Sequence, residues 1–383
     1  MIPYGRQSID GADIDAVVEV LKSDFLTQGP AIPRFEQAVA DYCGAQHGVA
    51  VCNATAALHI ACLALDLGPG DLLWTSPTTF VASANCGLYC GADVDFVDID
   101  PMTYIMSVER LAEKLEAAER RGRLPKVVVP VHLCGQSADM RAIAELGRRY
   151  GFRIVEDASH AIGARYGNGP VGDCRYSDIT VFSFHPVKII TTGEGGMATT
   201  NDAELAWKMR LLRSHGVTRE PDRLQAQADG GWYYEQLALG FNYRMTDIQA
   251  ALGCSQLQRI DGFLERRRDL ASRYDEALAE MRLKRPWQQP ESQSSWHLYV
   301  VRVDPAVHAS AFAGLRERGV GVNLHYIPVP RQPYYRSLGF DPACWPEAER
   351  YYSEAISLPL FAGLSNAEQD VVIDAVKVAL TCA

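Results

Sequence analysis

The feature that most constrains this chain is a regular alternation of short β-like segments with amphipathic helical segments. The β-like segments are residues 48–52, 71–77, 93–99, 126–133 and 153–158, and the helical segments between them are residues 55–65, 79–90, 108–121 and 138–150. Strands that alternate with helices of this length predict a mostly parallel sheet covered by helices on both faces. Ligands of such sheets bind at the carboxyl ends of the strands, so we expect functional residues there.

The pattern changes near residue 260. Residues 256–281 predict a long charged helix that leads out of the first domain, and the apolar segments 296–303 and 319–326 follow with helices near 312–319 and after Leu364. A chain of 383 residues is long enough for one large and one smaller domain. We therefore predict an α/β large domain over residues 1–260 and a smaller α+β domain over residues 261–383.

Charge and composition exclude several classes of partner. The formal net charge of −10 argues against nucleic acid and anionic membranes, which need a basic face. No apolar run is long enough to cross a bilayer, and the first ten residues do not resemble a signal peptide. The ten cysteines are scattered without C-x-x-C pairs, which favours free thiols over a metal site. We expect a cytoplasmic protein that holds no metal.

Lys188 lies in the stretch FSFHPVKIITTGEGG, residues 182–196. A single lysine is an exposed charge more often than a catalyst. This one follows a β-like run and lies in a loop rich in Gly and Thr, where partial desolvation would make its amine nucleophilic. Gly193, Gly195 and Gly196 allow another backbone or a cofactor to approach closely, and the sequence leaves both possibilities open.

Asp157 ends the run RIVEDA, at the expected carboxyl edge of the sheet. It suits the N-cap of a following helix, and it equally suits a carboxylate that pairs with a protonated heterocyclic nitrogen. The second interpretation gains from Lys188, because pyridoxal 5′-phosphate (PLP) needs both a lysine and an acid at its pyridine nitrogen.

Candidate residues also follow two other strands, and one lies just beyond Asp157. NATAAL, residues 53–58, opens a helix whose first N–H groups would suit a phosphate, although a plain helix start capped by Asn53 or Thr55 fits as well. Phe80 is either a core residue or a ring that stacks on a planar cofactor. His160 is either structural or part of the same site. That these residues lie together at the ends of successive strands is better evidence for a site than any one of them alone.

The motifs VEDASHAIGA, FSFHPVKIITTGEGG and GFNYRMTDIQAALG, in this order, resemble the DegT/DnrJ/EryC1/StrS family of sugar aminotransferases. The resemblance implies a fold-type I enzyme that depends on PLP. IPYGRQSI, SDFLTQGP, VNLHYIPV and QPYYRSLGF look most like the branch that makes pseudaminic acid. That branch aminates UDP-2-acetamido-2,6-dideoxy-β-L-arabino-hexos-4-ulose at C4 and takes the amino group from L-glutamate.

The resemblance also implies roles for individual residues. Lys188 would form the covalent link to PLP, and Asp157 would hold the pyridine N–H. The remaining residues implied for PLP, at its ring or its phosphate, are Phe80, His160, Thr55, Ala56, Ser183 and, from a partner subunit, Asn242. The residues implied for the substrate are Tyr4, Asp24, Phe25, Leu26, Thr27, His325 and Tyr326. A shared Asn242 implies a homodimer.

Two alternatives remain open at this point. The same chemistry on a GDP- or dTDP-linked 4-keto-6-deoxy sugar, or on UDP-4-keto-arabinose, changes only the substrate. A non-catalytic PLP-binding regulator would normally carry a basic DNA-binding module, and no such segment is visible. A nicotinamide oxidoreductase is excluded, because the first turn between strand and helix lacks the glycine fingerprint.

Overall fold

The computed structural model describes residues 1–381, and its elements follow the predicted alternation. The strands are β1 (His47–Val51), β2 (Leu72–Thr75), β3 (Asp93–Phe96), β4 (Val127–Val129), β5 (Arg153–Asp157), β6 (Arg165–Tyr166), β7 (Gly169–Pro170), β8 (Ile179–Ser183), β9 (Gly196–Thr200), β10 (Val217–Thr218), β11 (Glu235–Gln236), β12 (Ser292–Gln293), β13 (Tyr299–Arg302) and β14 (Ala355–Leu358). The helices are α1 (Gly11–Leu21), α2 (Ala31–Cys43), α3 (Ala54–Ala64), α4 (Ala82–Tyr89), α5 (Val108–Arg120), α6 (Met140–Tyr150), α7 (Ala203–Arg213), α8 (Asp247–Gln258), α9 (Ile260–Ala277), α10 (Pro305–Glu317), α11 (Pro333–Ser337), α12 (Pro346–Glu354) and α13 (Asn366–Thr381).

The main sheet has seven strands among the described residues, in the order β1-β9-β8-β5-β4-β2-β3. The neighbouring strands from β8 to β3 are parallel, and β9 runs antiparallel to both β8 and β1. Strand β1 therefore runs in the same direction as β8. This confirms the predicted mostly parallel sheet and brings the carboxyl ends of six strands to one edge.

The sheet is buried on both faces, as parallel sheets require. The three valines of β4 and all of β8 are buried. Helices start where short polar side chains cap them: Asn53, Ser107, Asp139 and Asp202 accept hydrogen bonds from the first turns of α3, α5, α6 and α7. Each cap of this kind contributes about 1 kcal/mol to stability and fixes where the chain leaves its strand.

The predicted single helix over residues 256–281 is wrong. Helix α8 ends at Gln258 and α9 begins at Ile260, with Arg259 between them at φ −106° and ψ 2°. The Arg259 guanidinium forms ion pairs with Asp10 and Asp13 of the N-terminal segment. The break therefore coincides with the site where α1 is held against the rest of the chain, which helical periodicity does not reveal.

A second, smaller sheet lies beyond α9, where β13 pairs antiparallel with β14. Segment 319–326 runs beside it with isolated pairs, Val320 with Ile2 and Asn323 with Ser357. The N-terminal residues also reach this region, because the Leu360 N–H donates to the carbonyl of Tyr4 at 3.0 Å. The division at residue 260 stays a prediction. Residues 382 and 383, which that division includes, lie outside the described residues.

Candidate active site

A cavity of about 540 Å³ lies at the carboxyl edge of the main sheet. Its floor comes from residues that follow the parallel strands β1, β2, β4, β5 and β8, and segment 323–326 with Tyr4 forms the opposite wall. This is the position in which an open α/β sheet binds ligands. The residues that line the cavity, among those predicted for a site, are Tyr4, Thr55, Phe80, Asp157, His160, Ser183, Lys188, His325 and Tyr326.

Lys188 lies five residues beyond the end of β8. Its backbone N–H donates to the carbonyl of His185 at 2.9 Å, and the buried Ile189 and Ile190 anchor the chain just after it. Burial lowers the pKa of the Lys188 amine to about 8, while the Asp157 carboxylate acts in the opposite direction. A lysine with this pKa has a substantial uncharged fraction near neutral pH, which is the form that attacks a carbonyl.

The glycines that follow Lys188 serve contacts within the chain. A Cβ on Gly196 would lie 2.5 Å from the backbone of Asn53, and one on Gly195 would lie 2.1 Å from the Thr192 hydroxyl. Gly196 therefore lets β9 pack directly against the start of α3, and Gly195 lets its own loop turn tightly over Thr192. The chain itself therefore approaches Gly195 and Gly196, whereas an added Cβ on Gly193, at φ 79°, would meet no atom within 4 Å.

Asp157 ends β5 and lies in the floor of the cavity. Its Oδ2 accepts a hydrogen bond of 2.6 Å from the Ser83 hydroxyl, and its Oδ1 accepts one of 3.1 Å from the Ser159 N–H. The chain after Asp157 forms turns rather than entering a helix. The interpretation of Asp157 as a helix N-cap is therefore excluded.

His160 is held on both ring nitrogens. The Cys134 N–H donates to Nδ1 at 3.2 Å, and Nε2 lies 3.0 Å from the Tyr326 hydroxyl. Burial, with smaller effects of Lys188 and His325, lowers the pKa of His160 well below its usual value. The ring is therefore neutral, and because Nδ1 accepts, Nε2 carries the proton and donates it to Tyr326.

Two more imidazoles share this environment. The ring of His297 lies 4.3 Å from that of His160, and burial is the main cause of its lowered pKa. Burial, with a smaller contribution from Lys188, lowers the pKa of His325 to about 3. Three neutral imidazoles therefore surround Lys188 without adding positive charge.

Hydroxyl groups line the part of the cavity next to α3. The hydroxyls of Thr55 and Ser183 face this space, and within residues 1–381 neither hydrogen-bonds to the chain itself. Asn53 caps α3 by accepting a hydrogen bond of 2.9 Å from the Ala56 N–H. The predicted residue Ala56 therefore lies behind the lining with its N–H already used, and Thr55 is not the cap.

Phe80 is not a core residue. Its side chain is 56% exposed, lines the cavity and lies 6.0 Å from the ring of Tyr326. The ring of Tyr4 lies 5.0 Å from that of His325, so the two aromatic groups close the same side of the cavity.

The other predicted residues lie away from this cavity. Asp24, Phe25 and Leu26 are exposed, and Thr27 pairs with Thr246. Asn242 is exposed and pairs with Ser214. Their predicted roles require a second subunit or a different site and stay predictions.

Several lining residues were missed by the sequence interpretation. Glu194 lies within the TTGEGG motif, which was read only for its glycines, and Ser159 lies between Asp157 and His160. Asn323 lies two residues before His325 in a segment that was noted for its histidine and tyrosine. The backbone of Cys134 supports His160, and its sequence neighbours carry no signal of this contact.

Residues 1–381 contain neither a candidate metal site nor a candidate membrane-spanning helix. In that part of the chain no three His, Cys, Asp or Glu side chains are grouped so that they could hold a metal ion. The described helices include none with the length and apolar character of a membrane span. The nine cysteines of this part are free thiols, and Cys382 lies outside it.

The donor set fits PLP. The cofactor has an aldehyde carbon, a pyridine nitrogen and a phosphate, and these need an uncharged amine, a carboxylate and hydrogen-bond donors. Lys188, Asp157 and the free hydroxyls of Thr55 and Ser183 supply these groups in a single cavity. The residues present therefore match the cofactor in number and chemistry.

Comparison with known sequences gives matches over almost the whole chain. The sequence model of the DegT/DnrJ/EryC1/StrS aminotransferase family matches residues 7–377. The spore coat polysaccharide biosynthesis protein SpsC of Bacillus subtilis is 39% identical, over 98% of this chain and 96% of that protein. GDP-perosamine synthase of Caulobacter vibrioides is 38% identical, over 98% of this chain and 97% of that protein.

Comparison with solved structures also gives matches over the whole chain. The putative sugar aminotransferase Spr1654 of Streptococcus pneumoniae, solved in its PMP form, has a TM-score of 0.91 and 30% identity with full coverage of both chains. Helicobacter pylori PseC, an aminotransferase involved in the biosynthesis of pseudaminic acid, has a TM-score of 0.90 and 29% identity, also with full coverage of both. The fold-type I architecture and the dependence on PLP are thereby confirmed.

Proposed function

Since this chain belongs to the DegT/DnrJ/EryC1/StrS aminotransferase family, and is thus a PLP-dependent sugar aminotransferase, we propose that the cavity at the sheet edge is its active site. The observation that carries the proposal is Lys188, with its amine at a pKa of about 8, in the same cavity as the Asp157 carboxylate. We propose L-glutamate as the amino donor and C4 of a nucleotide-linked 4-keto sugar as the acceptor.

PLP, when bound, withdraws the electron pair that is released as the α-carbon of the amino donor loses its proton. In the proposed reaction Nζ of Lys188 removes that proton and later returns one at the sugar C4, since an amine that binds the cofactor is already within reach of both atoms. The Asp157 carboxylate accepts the ring N–H and holds that proton on the nitrogen. Neutral His160 would contribute its flat ring without a competing charge.

The hydroxyl of Thr55, at the start of α3, and that of Ser183, at the end of β8, would donate to the phosphate. We propose that Asn242 of a partner subunit completes this group, because in this chain its side chain is exposed and does not line the cavity. The proposed enzyme is therefore a homodimer with shared sites. Cytoplasmic location is part of the same proposal, in keeping with the free thiols of the described chain.

For the acceptor we propose UDP-2-acetamido-2,6-dideoxy-β-L-arabino-hexos-4-ulose, which would give UDP-4-amino-4,6-dideoxy-N-acetyl-β-L-altrosamine for pseudaminic acid. Support comes from the segments 2–9 and 322–329, which resemble that branch, and from the likeness to PseC over both whole chains. In the structure Tyr4, His325 and Tyr326 form one wall of the cavity, where a sugar would face the cofactor.

A GDP-linked 4-keto-6-deoxy sugar is the second candidate. It is favoured by 38% identity to GDP-perosamine synthase, which exceeds the 29% identity to PseC. The chemistry at Lys188 and Asp157 would be the same for both acceptors.

The absorbance spectrum of the purified enzyme tests both levels of the proposal. A band near the visible edge should collapse when L-glutamate is added and should return only with the correct keto sugar. Recovery with the UDP-acetamido sugar supports the first candidate, and recovery with a GDP-linked sugar supports the second. A spectrum that glutamate leaves unchanged would contradict glutamate as the donor.

A further inference from the structure

The carboxylate of Asp157 is held by a buried pair of hydroxyls that the reaction itself does not require. Ser83 of α4 is 0% exposed, and its Oγ lies 2.6 Å from Asp157 Oδ2. Thr79, which is 2% exposed, has its Oγ1 2.7 Å from the same Ser83 oxygen. The three side chains, Thr79, Ser83 and Asp157, therefore form a chain of hydrogen bonds that ends at the floor of the cavity.

The direction of these hydrogen bonds follows from counting protons. As the group that receives a ring N–H, the Asp157 carboxylate is an acceptor, so Ser83 must donate to it. A serine hydroxyl has one proton, and the contact of 2.6 Å to Asp157 is far shorter than the 3.3 Å from Ser83 Oγ to the Phe80 carbonyl. Because that proton is used, Thr79 must donate to Ser83.

Together with the Ser159 N–H on Oδ1, the Ser83 hydroxyl on Oδ2 fixes both oxygens of Asp157. Two donors at the two ends of a carboxylate set its plane and its rotation about the Cβ–Cγ bond. A carboxylate that is locked in this way keeps its remaining lone pairs in one direction, and a locked partner is what a charge-assisted hydrogen bond to a ring nitrogen needs.

We propose that Ser83 is a positioning residue, whose hydroxyl orients the Asp157 carboxylate toward the ring nitrogen of PLP, and that Thr79 acts only through Ser83. The inference rests on the proposed role of Asp157. It deepens that proposal by assigning α4 a part in holding the cofactor as well as in covering the sheet.

The test compares Ser83→Ala, Thr79→Val and the double variant with wild type in two measurements. The first is the Kd of the cofactor-free protein for PLP, measured by fluorescence titration. The second is the ¹⁵N signal of PLP labelled at its ring nitrogen, which distinguishes the protonated from the unprotonated ring. Thr75→Val is the matched control, because its buried hydroxyl bonds only to the Val129 carbonyl.

We expect Ser83→Ala to weaken PLP binding about 10-fold and Thr79→Val about 3-fold, in line with the loss of a hydrogen bond to a charged group and of a neutral one. The double variant should match Ser83→Ala within about twofold, because Thr79 has no effect once Ser83 is gone. The ring signal should move toward the unprotonated position in both single variants and stay in place in Thr75→Val.

Additive losses, or an unchanged ring signal in Ser83→Ala, would overturn the inference and leave Ser83 a packing residue. Asp157→Asn separates this result from a failure of the proposed function. If Asp157→Asn also leaves the ring signal unchanged, the role of Asp157 is wrong; if only Asp157→Asn moves it, the role of Ser83 alone is wrong. Should Ser83→Ala fail to fold, Ser83→Cys and Thr79→Val carry the same test.

Discussion

The floor and the opposite wall of the cavity are built in different ways. The floor, with Asp157, Ser183 and Lys188, continues directly from the buried parallel strands β5 and β8, whose backbones are paired on both sides. The opposite wall, segment 323–326, has isolated pairs and depends on side chains. His325 lies 2.8 Å from the Ser357 hydroxyl, and the Tyr351 hydroxyl donates to the His325 carbonyl at 2.8 Å.

This difference indicates that the floor and the wall serve different parts of the reaction. Groups on strand ends are held rigidly and suit the cofactor, whose chemistry is common to every acceptor sugar. Groups on an irregular segment can change without disturbing the sheet and suit the sugar, which differs between relatives. Variants of the floor should therefore impair both half-reactions, and variants of the wall should impair only the reaction with the sugar.

Lys188→Ala should have the largest effect. Loss of the amine removes both the covalent link and the proton transfer, so we expect both half-reactions to slow by about 10⁴-fold. Rapid-mixing absorbance with glutamate, and then with the keto sugar, measures each step. Lys22→Ala, an exposed lysine at the end of α1, is the control. Loss of only one half-reaction would contradict the assignment of the floor to the chemistry that both half-reactions share.

Burial and the Asp157 carboxylate should together set the pH at which Lys188 reacts. In the cofactor-free protein, acetylation of Lys188 by acetic anhydride should rise with pH through a midpoint near 8, because only the uncharged amine reacts. Since Asp157 raises the pKa of Lys188, Asp157→Asn should move that midpoint to lower pH. Mass spectrometry, with a lysine peptide as internal reference, measures the rate of acetylation at Lys188. A midpoint that moves to higher pH in Asp157→Asn would contradict the placement of Asp157 beside Lys188.

Tyr326→Phe tests the wall. It removes the hydroxyl of a residue on the wall proposed for the sugar, and we expect kcat/KM for the keto sugar to fall about 10-fold. The half-reaction with glutamate should stay within about twofold of wild type. Tyr334→Phe, an exposed neighbour, controls for removal of a hydroxyl. Equal losses in both half-reactions would assign Tyr326 to the floor.

Ser357→Ala should have the smallest effect. It removes the hydrogen bond to Nδ1 of His325, which is worth about 1 kcal/mol, so we expect KM for the sugar to rise about threefold to fivefold. Steady-state kinetics with varied sugar at saturating glutamate measure it, and Ser353→Ala on the exposed face of α12 is the control. A change in kcat with no change in KM would place His325 in the chemical step.

Much of the main sheet could be predicted from the sequence, because its strands are short apolar runs separated by capped helices. The break at Arg259 could not, since it depends on ion pairs with Asp10 and Asp13, which are distant in the sequence. Strand β14 was also missed, because residues 355–358 resemble the end of α12 until their pairing with β13 is known.

The candidate site likewise contains residues that the sequence predicts and residues that it does not. Lys188 and Asp157 could be placed at strand ends by the period of the elements, whereas Ser183 is implied only by the resemblance to the family. Ser83, on α4, and Thr79, three residues before that helix begins, could not be placed in the site, because in the sequence they look like small buried residues. Only the fold brings Ser83 within 2.6 Å of a carboxylate 74 residues away. Contacts between distant segments have no local pattern from which to predict them.

Reduction of the PLP-loaded enzyme with borohydride, followed by digestion and mass spectrometry, tests the central claim most directly. Borohydride makes the link between PLP and its lysine permanent, so the modified peptide identifies the residue. We expect the phosphopyridoxyl group on Lys188 alone, with none after prior incubation with L-glutamate. Modification of a different lysine, or of none, would contradict the placement of the active site at this edge of the sheet.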